Sequence, residues 1–177
     1  GETHRLKQVW FNFPKKEETD EYSVGEGNEL TSLLLEIDGL SWNNNTSELL
    51  GSTIEFGDIK LHVLAPDHDV AYENKPKEPD ELGVRSDDWY IDLRTLIDNV
   101  DDDDIDEGGT NSQSIIILAE CEGKKLLLPG DSTPKKLCDA LQSYNKTNGT
   151  PLELDFMKLP HHGSTRNVTK NILNEVT

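Results

Sequence analysis

Two short stretches decide how this chain is read: Leu126-Leu127-Leu128-Pro129-Gly130-Asp131-Ser132, and, one helix further on, Lys158-Leu159-Pro160-His161-His162-Gly163-Ser164. In the first, an apolar run ends, a glycine permits a sharp turn, and a carboxylate follows at once. That sets Asp131 at the carboxyl end of a strand, where open α/β sheets build their sites. A turn or capping role for Asp131 is the competing reading. In the second, two adjacent imidazoles follow another strand. A neutral imidazole is a good ligand for zinc or a similar ion, and a neighbouring carboxylate suits a two-metal site. A surface His pair is the competing reading there. Between the stretches, Thr133 caps a helix with Pro134 at its first position, running to about Tyr144. A strand, a helix and a second strand in that order predict a parallel βαβ unit with both turns side by side.

Outward from this pair, the apolar patterns predict further elements. Residues 114–119 and 125–128 read as strands joined by Cys121-Glu122-Gly123, and their unbroken Ile and Leu runs predict burial on both faces. Residues 154–159 read as a strand and 167–176 as a helix. Upstream, residues 52–55 and 59–64 read as strands around Gly57-Asp58. Residues 8–12 read as a short strand and 86–100 as a helix. Residues 26–37 read as an amphipathic helix, with Leu30, Leu33, Leu34 and Ile37 on one face. The expected fold class is α/β.

Composition sets the outer limits. The 177 residues suffice for one domain with its own core. Lys and Arg total 17 against 35 Asp and Glu, a net charge of −18. Two-thirds of that excess lies in residues 66–107, whereas residues 112–177 are close to neutral. A surface this acidic does not coat nucleic acid, because the phosphates repel it. No apolar run reaches the ~18 residues a membrane span needs, and a cytoplasmic protein is expected. Cys121 and Cys138 read as reduced, partly buried thiols. The run Asp101-Asp102-Asp103-Asp104-Ile105-Asp106-Glu107 lacks the glycine and late glutamate of a calcium loop and reads as a solvated acidic loop.

Read in order, Asn111-Ser112-Gln113-Ser114-Ile115-Ile116-Ile117-Leu118, then Leu-Leu-Leu-Pro-Gly-Asp, then Met-Lys-Leu-Pro-His-His-Gly-Ser resemble the metallo-β-lactamase fold, and within it the ComEC-like branch. The resemblance covers residues 111–166. It extends upstream to residues 59–66, which look like the strand and Pro turn that precede the Asn-Ser strand. It implies part of a four-layer αββα sandwich and a metal-dependent hydrolase with two zinc or manganese ions. Asp131 matches the carboxylate that bridges the ions, and His161 or His162 matches the late His ligand. Lys158, Ser164 and Arg166 flank the site on the substrate side, with Lys135 and Lys136 after the Asp turn. That rim suits phosphodiesters, nucleic acid or nucleotide, better than a cationic substrate, and it reads equally as simple surface lysines; a lactam, a thioester or a phosphocholine ester keeps the same fold.

The family's principal metal motif, His-x-His-x-Asp-His, does not occur here; the other histidines are His4, His62 and His68, none in that context. The chain therefore reads as a single partial domain spanning residues 1–177, with an acidic insertion around 66–110. It carries the late half of a metal site and is expected to be inactive alone. The remainder of its own chain, or a second copy, would complete the sheet. The alternative is a non-catalytic module of the same fold whose acidic segment binds a basic partner.

Overall fold

The computed structural model describes residues 6–12, 22–43, 46–67, 105–107 and 111–176. The helix expected at 86–100, His4, His68 and most of the acidic segment lie outside these residues.

Strand β1 is Gln8–Trp10 and strand β2 Ser41–Asn43; they pair in parallel as a small sheet. Helix α1, Tyr22–Leu35, lies between them. Strands β3 (Thr53–Phe56) and β4 (Ile59–Ala65) form a hairpin around Gly57-Asp58, at the expected place. Gly57 takes φ +62°, which a tight turn of this kind demands and glycine adopts without strain. Strands β5 (Ile116–Cys121) and β6 (Lys124–Leu128) form a second hairpin around Glu122-Gly123. Helix α2, Pro134–Asn148, carries the chain across to β7, Phe156–Met157. The larger sheet has the order β3-β4-β5-β6-β7. It is antiparallel from β3 to β6, and β6 with β7 is parallel, with Leu126 opposite Phe156 and Leu127 opposite Met157. The βαβ unit read from the two motifs is therefore present.

Helix α2 has the ends its sequence dictates. Thr133 accepts a hydrogen bond from the Lys136 N–H and Pro134 opens the first turn. Gly149 closes the helix in the left-handed conformation, its N–H bonded to the Asn145 carbonyl at 2.8 Å. The helix runs four residues past Tyr144 because that glycine, not the last aromatic, supplies the stop. The last helix, α3, is shorter than expected, Lys170–Asn174.

The core forms where α2 and α3 cover one face of the sheet. Ala65, Ile116, Leu118, Leu127, Leu137, Ala140, Leu141, Leu152 and Ile172 make one buried cluster. Leu118 and Leu127 face each other across β5 and β6, both fully buried. Their neighbours Ile117, Leu126 and Leu128 are only half-buried, so the strands are not enclosed equally on both faces. The helices bury one face, and the pleat turns alternate residues away from them. The stripe of α1 also departs from its reading: Leu34 is buried, while Leu30, Leu33 and Ile37 are exposed. Periodicity defines an apolar face, but only a packed neighbour buries it. The general α/β class stands.

Candidate functional site

The parallel pairing of β6 with β7 brings the two motif turns together. Lys158 N–H bonds the Leu127 carbonyl at 3.0 Å, and the pairing then continues beyond the strands, with His161 N–H donating to the Gly130 carbonyl at 3.2 Å. Gly130 has φ +60°, and a Cβ there would sit 3.2 Å from the Ser114 Cβ, so the turn needs glycine both for its backbone and for its space. The His turn, Pro160–Gly163, is a distorted 3₁₀ turn. His161 (φ 43°, ψ 53°) and His162 (φ 55°, ψ 21°) both lie in the left-handed region, which costs an L residue of order 1–3 kcal/mol each. Two consecutive side chains are thereby projected from one tight corner.

His161 is anchored by a polar cluster. Its Nδ1 lies 3.1 Å from Asn167 Oδ1 and 3.4 Å from Asn111 Nδ2. Asn111 Nδ2 donates to Asp106 Oδ2 at 2.8 Å, and Asn167 Nδ2 donates to the same oxygen at 2.9 Å. Asn167 Nδ2 also donates to the Ser132 carbonyl at 3.2 Å, tying the cluster to the Asp turn. The Asp106 carboxylate lies 3.7 Å from His161 Nδ1, and its side chain is only 12% exposed. Asp106 N–H in turn donates to the Arg166 carbonyl at 3.0 Å. Asn167 is fully buried, and the buried Ser132 hydroxyl has no hydrogen-bond partner among the described residues. His162 is exposed; its ring sits edge-on to that of His161, with centroids 6.3 Å apart.

The acidic run read as a solvated loop is corrected here at Asp106, which is held in the site by two amide donors. Asp106 and Asn167 are the residues that sequence reading missed. One signal pointed to the first: Ile105 interrupts the Asp run with an apolar side chain that the structure half-buries. Asn111 begins the resemblance motif but lies in a 3₁₀ turn, Asn111–Gln113, before the strand proper.

The remaining expected residues are placed as follows. Among the described residues the half-buried Asp131 carboxylate makes no hydrogen bond or ion pair, so it is chemically available. Lys158 Nζ bonds the carbonyl of its own neighbour Leu159 at 3.2 Å. Ser164 closes the His turn, its N–H on the His161 carbonyl at 2.9 Å and its Oγ accepting from Arg166 N–H at 3.3 Å. His62 lies in β4, its Nδ1 3.0 Å from Thr53 Oγ1 and its Nε2 3.6 Å from a Glu120 oxygen, away from the His turn. Cys121 and Cys138 are free and half-buried; burial first, then Glu175 and Asp139, pushes the Cys138 thiol up from its ordinary value. An open depression lined by Asp58, Lys60, Glu120, Cys121, Glu122 and Lys125 sits at the hairpin end of the sheet, opposite the His turn.

A carboxylate and imidazole nitrogens are the donor types zinc and manganese take. Among the described residues, however, no three His, Cys, Asp or Glu side chains converge as a ligand set. The corner supplies donors of the right kind for part of a metal centre. Among the described residues no helix is long and apolar enough to cross a membrane. No protein-family model, no curated protein and no solved structure matches the chain.

Proposed function

We propose that this chain carries the late half of the metal site of a hydrolase with the metallo-β-lactamase αββα sandwich, acting on phosphodiesters of the nucleic-acid or nucleotide class. The observation that carries the reading is the join between the two motif turns, His161 N–H on the Gly130 carbonyl, which sets the Asp131 turn beside the His pair at the carboxyl end of parallel strands. The three-motif resemblance over residues 111–166 supports it, as does the near-neutral charge of residues 112–177. In this reading Asp131 and one imidazole hold zinc or manganese, with the other ligands coming from outside the described residues. The chemistry such an ion supplies when bound is Lewis-acid polarisation of a phosphoryl oxygen and activation of water. This chain's residues hold donors in place: the left-handed turn projects the imidazoles, and the Asn-Asp cluster fixes one ring. This reading assigns Lys158, Ser164 and Arg166 to the substrate side.

Zinc and manganese titrations followed by calorimetry, on this chain and on a form extended upstream, with hydrolysis of a chromogenic phosphodiester in the same buffers, test this. Metal uptake and hydrolysis are expected in the extended form, and Asp131→Ala there should abolish both while leaving the circular dichroism unchanged. No uptake in either form, or uptake indifferent to Asp131→Ala, overturns the site assignment. The reading then left is the non-catalytic module whose acidic segment binds a basic partner.

A further inference from the structure

The hydrogen-bond polarity around His161 bears on where the ring's proton sits. Asn167 Nδ2 faces two groups that can only accept, Asp106 Oδ2 at 2.9 Å and the Ser132 carbonyl at 3.2 Å. Turning the amide over would set oxygen against oxygen twice, so its amino group belongs on that side. Its Oδ1 therefore faces His161 Nδ1 at 3.1 Å, and an amide oxygen only accepts. Nδ1 must then carry the hydrogen. One contact competes: Asn111 Nδ2 approaches the same Nδ1 at 3.4 Å and would favour a bare nitrogen. That contact with the ring is the longer of the two, and the Asp106 carboxylate 3.7 Å from Nδ1 attracts an N–H dipole.

The geometry points to a relay, Asp106–Asn167–His161, that holds the neutral His161 ring as its Nδ1–H tautomer and leaves the lone pair on Nε2. Free histidine in water favours the opposite tautomer, so the protein imposes this one. Asp106 and Asn167 are positioning residues: they act on the ring's orientation and proton, and the Ser132 carbonyl ties them to the Asp131 turn. The use made of Nε2 rests on the hydrolase reading above. Within that reading the relay makes His161 the working imidazole of the pair, since His162 has no comparable anchor among the described residues.

Long-range proton–nitrogen correlation NMR on the histidine-labelled full chain, in buffer well above the usual imidazole range, tests the relay. His161→Gln and His162→Gln assign the signals. The expected result for His161 is a pyrrole-type Nδ1 and a pyridine-type Nε2. Asn167→Ala should convert the ring to the Nε2–H form, and Asn111→Ala should leave it unchanged. An Nε2–H ring in the unaltered chain, or an Nδ1–H ring that survives in folded Asn167→Ala, overturns the relay. If Asn167→Ala does not fold, the unaltered chain and Asn111→Ala decide between the two amides. The tautomer is read without metal, so the relay and the hydrolase reading fail separately. An Nδ1–H ring with no zinc uptake by the upstream-extended form keeps the relay and removes the hydrolase; metal uptake by that form with an Nε2–H ring does the reverse.

Discussion

Asp155 ties the start of β7 to the start of β6, the two strands whose other ends carry the motif turns. It precedes β7 and reaches back to the start of β6, accepting from Lys124 Nζ and, at 2.9 Å, from Lys125 N–H. The hydrogen bond from Lys124, then the one from the Lys125 backbone, holds its carboxyl below the usual carboxylate range. A carboxylate whose pKa is depressed by folding stabilises the fold above its unfolded value, and that contribution is lost as pH falls through the folded value. In an NMR titration, the Asp155 midpoint should lie below the ordinary carboxylate value and move up in Lys124→Ala. An unmoved midpoint would mean the lysine contact does not persist in solution.

Among the elements, α2 has the most work to do, because it carries the chain from one motif turn to the other. Its cap and its core contacts can be tested separately. Thr133→Ala removes the acceptor for the Lys136 N–H and should cost about 0.5–2 kcal/mol in urea denaturation. Leu127→Ala empties a fully buried position beneath α2 and should cost about 2–5 kcal/mol. The second loss exceeding the first would show that packing of the helix on the sheet, rather than its local caps, holds the βαβ unit together. These elements were largely legible beforehand. The Gly57-Asp58 hairpin, the Glu122-Gly123 hairpin and the capped helix each carry local chemistry that acts over a few residues. The extent of β7 was not legible: residues 154–159 look like a strand throughout, but the strand proper is Phe156–Met157, with Asp155 and Lys158 bonded to β6 at its two ends.

At the scale of the molecule, charge dominates. A net charge of −18 repels itself, and folding brings those charges closer together. Salt screens such repulsion over about 8–10 Å at physiological strength. The melting temperature should therefore rise between low-salt and physiological buffer, which differential scanning fluorimetry measures; a fall would mean that specific ion pairs such as Lys136–Asp67 outweigh the general repulsion. The apolar residues exposed along α1, and Phe56 and Phe156 on the two outer strands of the larger sheet, add to this picture of an acidic chain whose sheet buries only part of its apolar surface.

The sequence by itself determined the turns, the caps and the α/β order of the C-terminal half, because glycine, proline and a capping threonine act through backbone geometry within a few residues. It also placed Asp131 and the His pair at the ends of neighbouring strands, since a right-handed parallel crossover leaves little other choice. Only the tertiary structure decided that Asp106 leaves the acidic run to bind two amides, that a buried Asn167 faces His161, and which imidazole is anchored. The Asp106–Asn167 contact joins residues 61 positions apart in the chain, and hydrogen-bond polarity exists only once the partners have met.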